Sequence, residues 1–328
     1  MGHRVAYWSV GTAELYALLR RLAPPELDLL TLESGTEAER LALAGEAEAV
    51  VVAASRFTEA HLAAARRLRF VQHQGVGWQD TVAWQGLAAR GIPLATTPQG
   101  TTLPVAEMTV LLALAALRRL PYADAELRQG RWHVNALRPV SRNLAGRVVG
   151  YVGFGRIGQA AAERFAAFGT TGVYFDPVVT LPPAEEARLK VRHAGSLEAL
   201  LAEAEIVTLH LPVTAETRNL IDAAAIARMR PGTVLVNTAR GGLVDEAALA
   251  AALREGRLLA AGLDVFATEP PPADHPLLAL PNVVLTPHIS AGTLDAFEEK
   301  LSAALANVAA FFAGRPADNL VTFPEIAA

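Results

Sequence analysis

The sequence predicts an α/β protein built on parallel sheets. Short β-rich runs alternate with Ala/Leu-rich helical stretches along nearly all of the 328 residues, the pattern of βαβ units. The alternation comes in two series, separated by a turn rich in Thr, Pro and Gly between Thr96 and Thr102. A chain of this length also suits two domains better than one.

In the first series, strands are predicted at Arg4–Trp8, Leu27–Leu32, Ala49–Ala53, Phe70–His73 and Pro93–Ala95, with helices between them. A long apolar helix then runs from Pro104 to Leu120, ended by Pro121, and reads as a domain crossing. The second series has strands at Arg147–Val152, Gly172–Phe175, Ile206–His210, Thr233–Val236, Ala260–Val265 and Val283–Thr286. Six strands with intervening helices match a doubly wound nucleotide-binding sheet. The last helix, Leu294 to Phe312, has no strand of its own and is expected to return to the first domain.

Composition narrows the functions. Hydrophobic residues make up 52% and charged residues 19%, with a net charge of −4, as in globular proteins with a packed interior. There is no basic excess to suggest nucleic acid. The longest apolar run, Met108 to Leu117, is too short to cross a membrane. The start does not read as a signal peptide, so a cytoplasmic protein with a small-molecule partner is expected. Cysteine is absent and the eight histidines are scattered, so neither a disulfide nor a metal site is expected.

Gly153-Phe-Gly-Arg-Ile-Gly158 directly follows the apolar strand Val148–Val152 and leads into a helical stretch. In that context the first glycine makes a tight turn, the second admits a pyrophosphate to the backbone, and the third lets helix and strand pack closely. The helix N-terminus favours the phosphate charge. The next strand ends at Asp176, placed to take ribose hydroxyls and to repel a 2′-phosphate. The expected ligand is NAD. An ordinary glycine turn followed by a helix-preceding Asp is the bland alternative.

Ligands of such sheets lie beyond the carboxyl ends of the strands. There Val234-Leu-Val-Asn-Thr-Ala leads to Arg240, Ala261-Gly-Leu leads to Asp264 and Glu269, and Val283-Val-Leu-Thr-Pro leads to His288. Reducing a carbonyl builds negative charge on oxygen, which calls for a cation and an acid. His288 can be that acid, or the base in the opposite direction. Glu269 would orient the imidazole and favour its protonated form. Arg240, a planar fork of donors, suits a substrate carboxylate and the adjacent carbonyl. Singly, each also reads as an ordinary loop residue, and the case lies in the set.

These stretches, with His210-Leu-Pro-Val-Thr214 and Asn237-Thr-Ala-Arg-Gly-Gly-Leu-Val-Asp245, resemble the D-isomer-specific 2-hydroxyacid dehydrogenases over nearly the whole chain. The resemblance implies a Rossmann-type NAD domain, residues 100–291, inserted into a flavodoxin-like substrate domain, residues 1–99 and 292–328. Hinges near 97–101 and 289–293 would allow closure. It makes Arg240, Glu269 and His288 catalytic, with Arg240 and His288 also beside the cofactor. Thr238, Ala239 and Asp264 fall on the nicotinamide side. Arg156, Ile157, Asp176, His210 and Pro212 fall on further cofactor contacts, alongside Gly153, Gly155 and Gly158.

The same resemblance makes Gln74, Gly75, Val76 and Gly77 the substrate loop, binding through backbone N–H groups; a plain strand-end turn is the alternative there. Trp78 and Gln79 depart from the family pattern. Members acting on phosphorylated acids place a basic residue near the end of the third strand, where this chain has Val51-Val-Ala-Ala and a displaced Arg56. The implied activity is hydride transfer between nicotinamide C4 and C2 of a small D-2-hydroxy or 2-keto acid, of glyoxylate or hydroxypyruvate type. A homodimer through residues 104–139 is implied, with Trp132 either an interface anchor or a core side chain. An NAD-sensing corepressor-like interaction protein of the same fold is the alternative.

Overall fold

The computed structural model describes residues 2–53 and 55–323. The chain forms two compact units, Met1–Thr101 with Gly292–Ala328 and, inserted between them, Thr102–Ala291. The first unit holds β1 (His3–Val10), α1 (Ala13–Leu22), β2 (Leu27–Leu32), α2 (Glu37–Glu46), β3 (Ala49–Val52), α3 (Glu59–Ala64), β4 (Phe70–His73), α4 (Trp84–Ala89) and β5 (Leu94–Thr96). The second begins with α5 (Thr102–Arg118), α6 (Leu120–Arg128) and α7 (Val134–Leu137), then β6 (Val148–Val152), α8 (Arg156–Ala167), β7 (Thr171–Phe175), α9 (Pro183–Leu189) and β8 (Val191–His193). It continues with α10 (Leu197–Glu203), β9 (Ile206–Leu209), α11 (Ala223–Arg228), β10 (Thr233–Asn237), α12 (Glu246–Arg254), β11 (Leu258–Leu263) and β12 (Val283–Leu285). The last helix, α13 (Leu294–Phe312), belongs to the first unit.

In the first unit the parallel sheet runs β2-β1-β3-β4-β5, the flavodoxin-type order. Because successive side chains of a strand point to opposite faces, β1 sends Ala6 and Trp8 into one core and Val5 and Tyr7 into the other. The second core is closed by Leu301, Leu305 and Val308 of α13. Each of these side chains contributes about 1.5–3 kcal/mol when fully buried. Helix α13 therefore completes this unit, as its lack of a strand partner suggests. All four residues of β3, Ala-Val-Val-Val, are buried, since both faces of a parallel sheet are covered.

The second unit has a seven-stranded parallel sheet, β12-β11-β10-β9-β6-β7-β8. From β6 the chain winds outward through β7 and β8, then returns to β9 and continues to β12, so the strand order reverses between β6 and β9. The crevice at such a reversal is where nucleotides bind. The six strands expected from sequence become seven. The extra strand, β8, has only three residues, two of them Arg192 and His193, so no apolar run marks it.

A second correction concerns Pro121. It does not simply end a helix at Leu120, because α5 stops at Arg118, Arg119 adopts φ 49°, and Pro121 sits in the first turn of α6. Proline suits that position, since its fixed φ is helical and its missing N–H would have no helical partner.

Candidate active site

The three glycines after β6 meet three different steric conditions. Gly153 has φ +86°, and a Cβ there would lie 2.5 Å from the His210 carbonyl oxygen. At Gly158 a Cβ would lie 2.7 Å from the Gly153 carbonyl oxygen, so the helix can approach the strand only without a side chain. At Gly155 a Cβ would meet nothing within 4 Å, which leaves the backbone open to a ligand.

The helix that follows has no side-chain cap. Helices α4, α6, α7 and α9 likewise lack one, whereas α1, α2, α3, α10, α11, α12 and α13 each have a Ser, Thr or Asp oxygen on their first-turn N–H groups. The N–H groups around exposed Arg156 and half-buried Ile157 are thus left for a ligand, and a pyrophosphate fits such a helix start. Asp176 closes the turn from the end of β7. Its carboxylate accepts N–H bonds from Phe154 at 2.7 Å and from Val178 and Val179 at 2.9 Å.

His210, just after β9, bonds through Nε2 to Thr208 Oγ1 at 3.0 Å, while its Nδ1 is buried without a partner among the described residues. Burial pushes its pKa down to about 3, so the ring is neutral at ordinary pH. The carbonyl of the neighbouring Pro212 accepts from Thr217 Oγ1 at 2.7 Å.

Arg240 ends a turn held by Asn237, the last residue of β10. Asn237 Oδ1 accepts from Ala239 N–H at 3.0 Å, and its Nδ2 donates to the Arg240 carbonyl at 2.8 Å. Arg240 Nη1 donates to the Ala239 carbonyl at 2.8 Å. Thr238 Oγ1 lies 2.9 Å from Thr109 Oγ1 of α5. A Cβ on Gly241 would stand 1.8 Å from the Phe266 carbonyl carbon. The arginine turn is therefore packed backbone to backbone against the segment that carries Glu269.

Glu269 and His288 come together. Glu269 Oε2 and His288 Nδ1 are 2.7 Å apart, and Glu269 Oε1 accepts from Phe266 N–H at 3.0 Å. Partial burial alone would raise the Glu269 pKa. The hydrogen bonds from His288 and Phe266 and the charges of His288 and Arg240 outweigh it and hold the carboxyl below the usual range. With Nδ1 engaged by Glu269, Nε2 is the nitrogen left to meet a substrate.

Asp264 organises the histidine loop. Fully buried, its carboxylate accepts from Thr286 Oγ1 at 2.6 Å, Ile289 N–H at 2.9 Å, Ser290 N–H at 2.8 Å and the Ser290 hydroxyl. Its carbonyl takes the His288 N–H at 2.7 Å. His288 is thereby held at φ 54°, a left-handed conformation that side chains other than glycine rarely adopt.

In the first unit, Gln74–Gly77 directly follows β4. Gln74 N–H bonds to the Val52 carbonyl at 2.7 Å, and the Gly75 carbonyl accepts from Thr97 N–H at 3.0 Å. Val76 is exposed. Trp78, which departs from the family pattern, is buried edge-on against Trp84 and Phe323, so it anchors the loop to the core.

Known proteins match this chain closely. The family profile for the D-isomer specific 2-hydroxyacid dehydrogenase, NAD binding domain, matches residues 110–290. The chain belongs to this family. A D-3-phosphoglycerate dehydrogenase of Mycobacterium tuberculosis is 46% identical over 257 residues, 78% of this chain and 47% of that protein. This chain thus spans about half the length of such relatives. A hydroxypyruvate reductase of Thermotoga maritima is 38% identical over 249 residues, 75% of this chain and 78% of that protein. Among solved structures, the TT0316 protein from Thermus thermophilus is similar with a TM-score of 0.84 and 36% identity, covering 97% of this chain and 100% of that one.

Within this member of the family, several residues that position the site escaped sequence reasoning. Asn237, Thr109 and Ser290 act through hydrogen bonds to residues distant in sequence or across a turn. Glu246, the first residue of α12, takes the Ala267 N–H at 2.9 Å and faces His275 Nε2 at 3.1 Å. The adjacent amides of Phe266 and Ala267 thus each hold a carboxylate, and each carboxylate faces a histidine. The sequence signal, acidic and histidine residues just after strands, picks out Glu269 and His288 but not Glu246 and His275.

Proposed function

We propose that this protein is a cytoplasmic NAD-dependent D-2-hydroxyacid dehydrogenase acting on small acids of the glyoxylate or hydroxypyruvate type. The observation that carries this reading is the 2.7 Å Glu269–His288 pair, on a loop packed against the turn that presents Arg240. When bound, NADH supplies the hydride for C2 of the keto acid. His288 Nε2 gives a proton to the carbonyl oxygen, and in the opposite direction the neutral ring takes the hydroxyl proton. Glu269 holds Nδ1 and so fixes which nitrogen reacts. Arg240 binds the substrate carboxylate and stabilises the charge that develops on oxygen. Gln74, Gly75, Val76 and Gly77 bind substrate through their N–H groups.

Cofactor recognition follows from the same residues. The uncapped start of α8 takes the pyrophosphate, and Asp176 takes ribose hydroxyls and disfavours NADPH. Thr238, Ala239 and Asp264 lie on the nicotinamide side, and His210 and Pro212 at further cofactor contacts. Leu111, Leu120, Leu127, Val134 and the three-quarters exposed Trp132 support a homodimer through α5–α7, since exposed apolar side chains on one segment mark contact surfaces. A core role for Trp132 is ruled out by that exposure.

A second reading, a phosphorylated three-carbon acid, is favoured by the identity to D-3-phosphoglycerate dehydrogenases. Against it, Ala53 follows β3 and the Arg56 side chain is exposed to solvent. The deciding experiment compares NADH-dependent reduction of glyoxylate, hydroxypyruvate, pyruvate and longer 2-keto acids with NAD-dependent oxidation of D-3-phosphoglycerate. The proposal expects the highest kcat/KM on glyoxylate or hydroxypyruvate. A maximum on D-3-phosphoglycerate selects the second reading, and NADH binding without turnover on any substrate selects the NAD-sensing alternative.

A further inference from the structure

The second unit has a small cavity at the end of its sheet opposite the glycine turn. It lies at the strand beginnings: Arg147 precedes β6, Glu205 precedes β9, and Leu259 is near the start of β11. Its volume is about 160 Å³, below the roughly 300–1,000 Å³ of pockets for larger ligands, so it suits an ion and not a nucleotide. Arg142, Arg147 and Arg230 line it beside one carboxylate, Glu205, with Leu117 and Leu259 as apolar wall.

The charges do not balance. Glu205 is committed to Arg147 Nη1 at 2.5 Å and to Val148 N–H at 3.1 Å. Arg142 Nη1 donates only to the carbonyls of Pro139 and Ser141, at 2.6 and 2.9 Å, which carry no charge. Among the described residues the Arg230 guanidinium makes no hydrogen bond or ion pair. Two solvent-exposed guanidinium groups thus face one small, partly apolar cavity, with no carboxylate paired to them among the described residues.

We propose that this cavity binds a phosphate-type dianion between Arg142 and Arg230, with Arg147 beside it. Guanidinium forks match the oxygen spacing of such an anion, and two uncompensated cations match its charge. The position adds a consequence. Arg142 N–H bonds to the Leu117 carbonyl at 3.0 Å, where the segment containing α6 and α7 leaves the body of the unit and returns. The anion therefore ties the root of that segment to the loop before β10 and stabilises the fold.

The test is calorimetric titration of inorganic phosphate into the NADH-saturated protein at constant ionic strength, so that the glycine turn is filled. One saturable site per chain is expected, with a rise in unfolding temperature. Arg142→Ala and Arg230→Ala, both at exposed side chains, each weaken binding about tenfold or more and abolish the temperature rise. Heat no greater than that of matched chloride overturns the proposal, as does undiminished phosphate binding in both variants.

Discussion

Two loops that follow strands of parallel sheets, Gly153–Gly158 after β6 and Gln74–Gly77 after β4, both contain glycine for different reasons. At Gly153 the fold itself excludes a side chain, through φ +86° and the His210 carbonyl, and at Gly158 through the Gly153 carbonyl. Gly75 has no left-handed φ, and a Cβ there would lie 3.4 Å from His73 Cε1, an ordinary contact. The fold tolerates a methyl group at Gly75. The first loop is thus written by internal packing, and at Gly75 packing alone does not account for the missing side chain.

The largest expected effect breaks the first loop. Gly153→Ala meets both left-handed strain and a backbone clash, with a cost on the order of 1–3 kcal/mol from the strain alone and loss of NADH binding in a fluorescence titration. Normal NADH affinity in that variant would remove the distinction between the loops. Gly75→Ala sharpens it from the other side. Its unfolding free energy should change by less than about 1 kcal/mol while KM for the keto acid rises about tenfold; an unchanged KM means that no ligand approaches Gly75.

A smaller effect is expected at Asp176, whose carboxylate holds the turn through the N–H groups of Phe154, Val178 and Val179. Asp176→Ala should lower the preference for NADH over NADPH about tenfold, measured as the ratio of the two dissociation constants. Equal discrimination would place ribose recognition elsewhere.

The smallest effect concerns pH. Because the fold holds the Glu269 carboxyl below its usual range, its interactions add stability above the unfolded carboxyl's pKa, and that stability is lost as pH falls through the folded value. Glu269→Gln should therefore flatten the acid limb of the stability curve. An acid limb identical to that of the parent would mean that the carboxylate gains nothing from its partners.

The same contrast explains what the sequence reveals. Helix α13 is legible to the residue because nineteen positions repeat one apolar stripe. The glycine turn is legible because strand, turn, helix and acid lie within one contiguous stretch. Strand β8 is hidden because three residues carry no periodicity, and α6 because Pro121 reads equally as a stop or a start. Arg240, Glu269 and His288 could be picked out by position at strand ends. Glu246 and Ser290, which hold Ala267 and Asp264 beside them, could not, because their partners are set by the tertiary fold; Asn237 acts within its own turn.

The central claim is that Arg240 acts on the substrate and not on the integrity of the nucleotide site. The direct measurement is steady-state turnover of Arg240→Ala beside its NADH dissociation constant. Loss of one donor to a developing oxyanion costs about 10²–10³ in kcat, and the account predicts at least that loss with NADH binding intact. Turnover within a few-fold of the parent would contradict it.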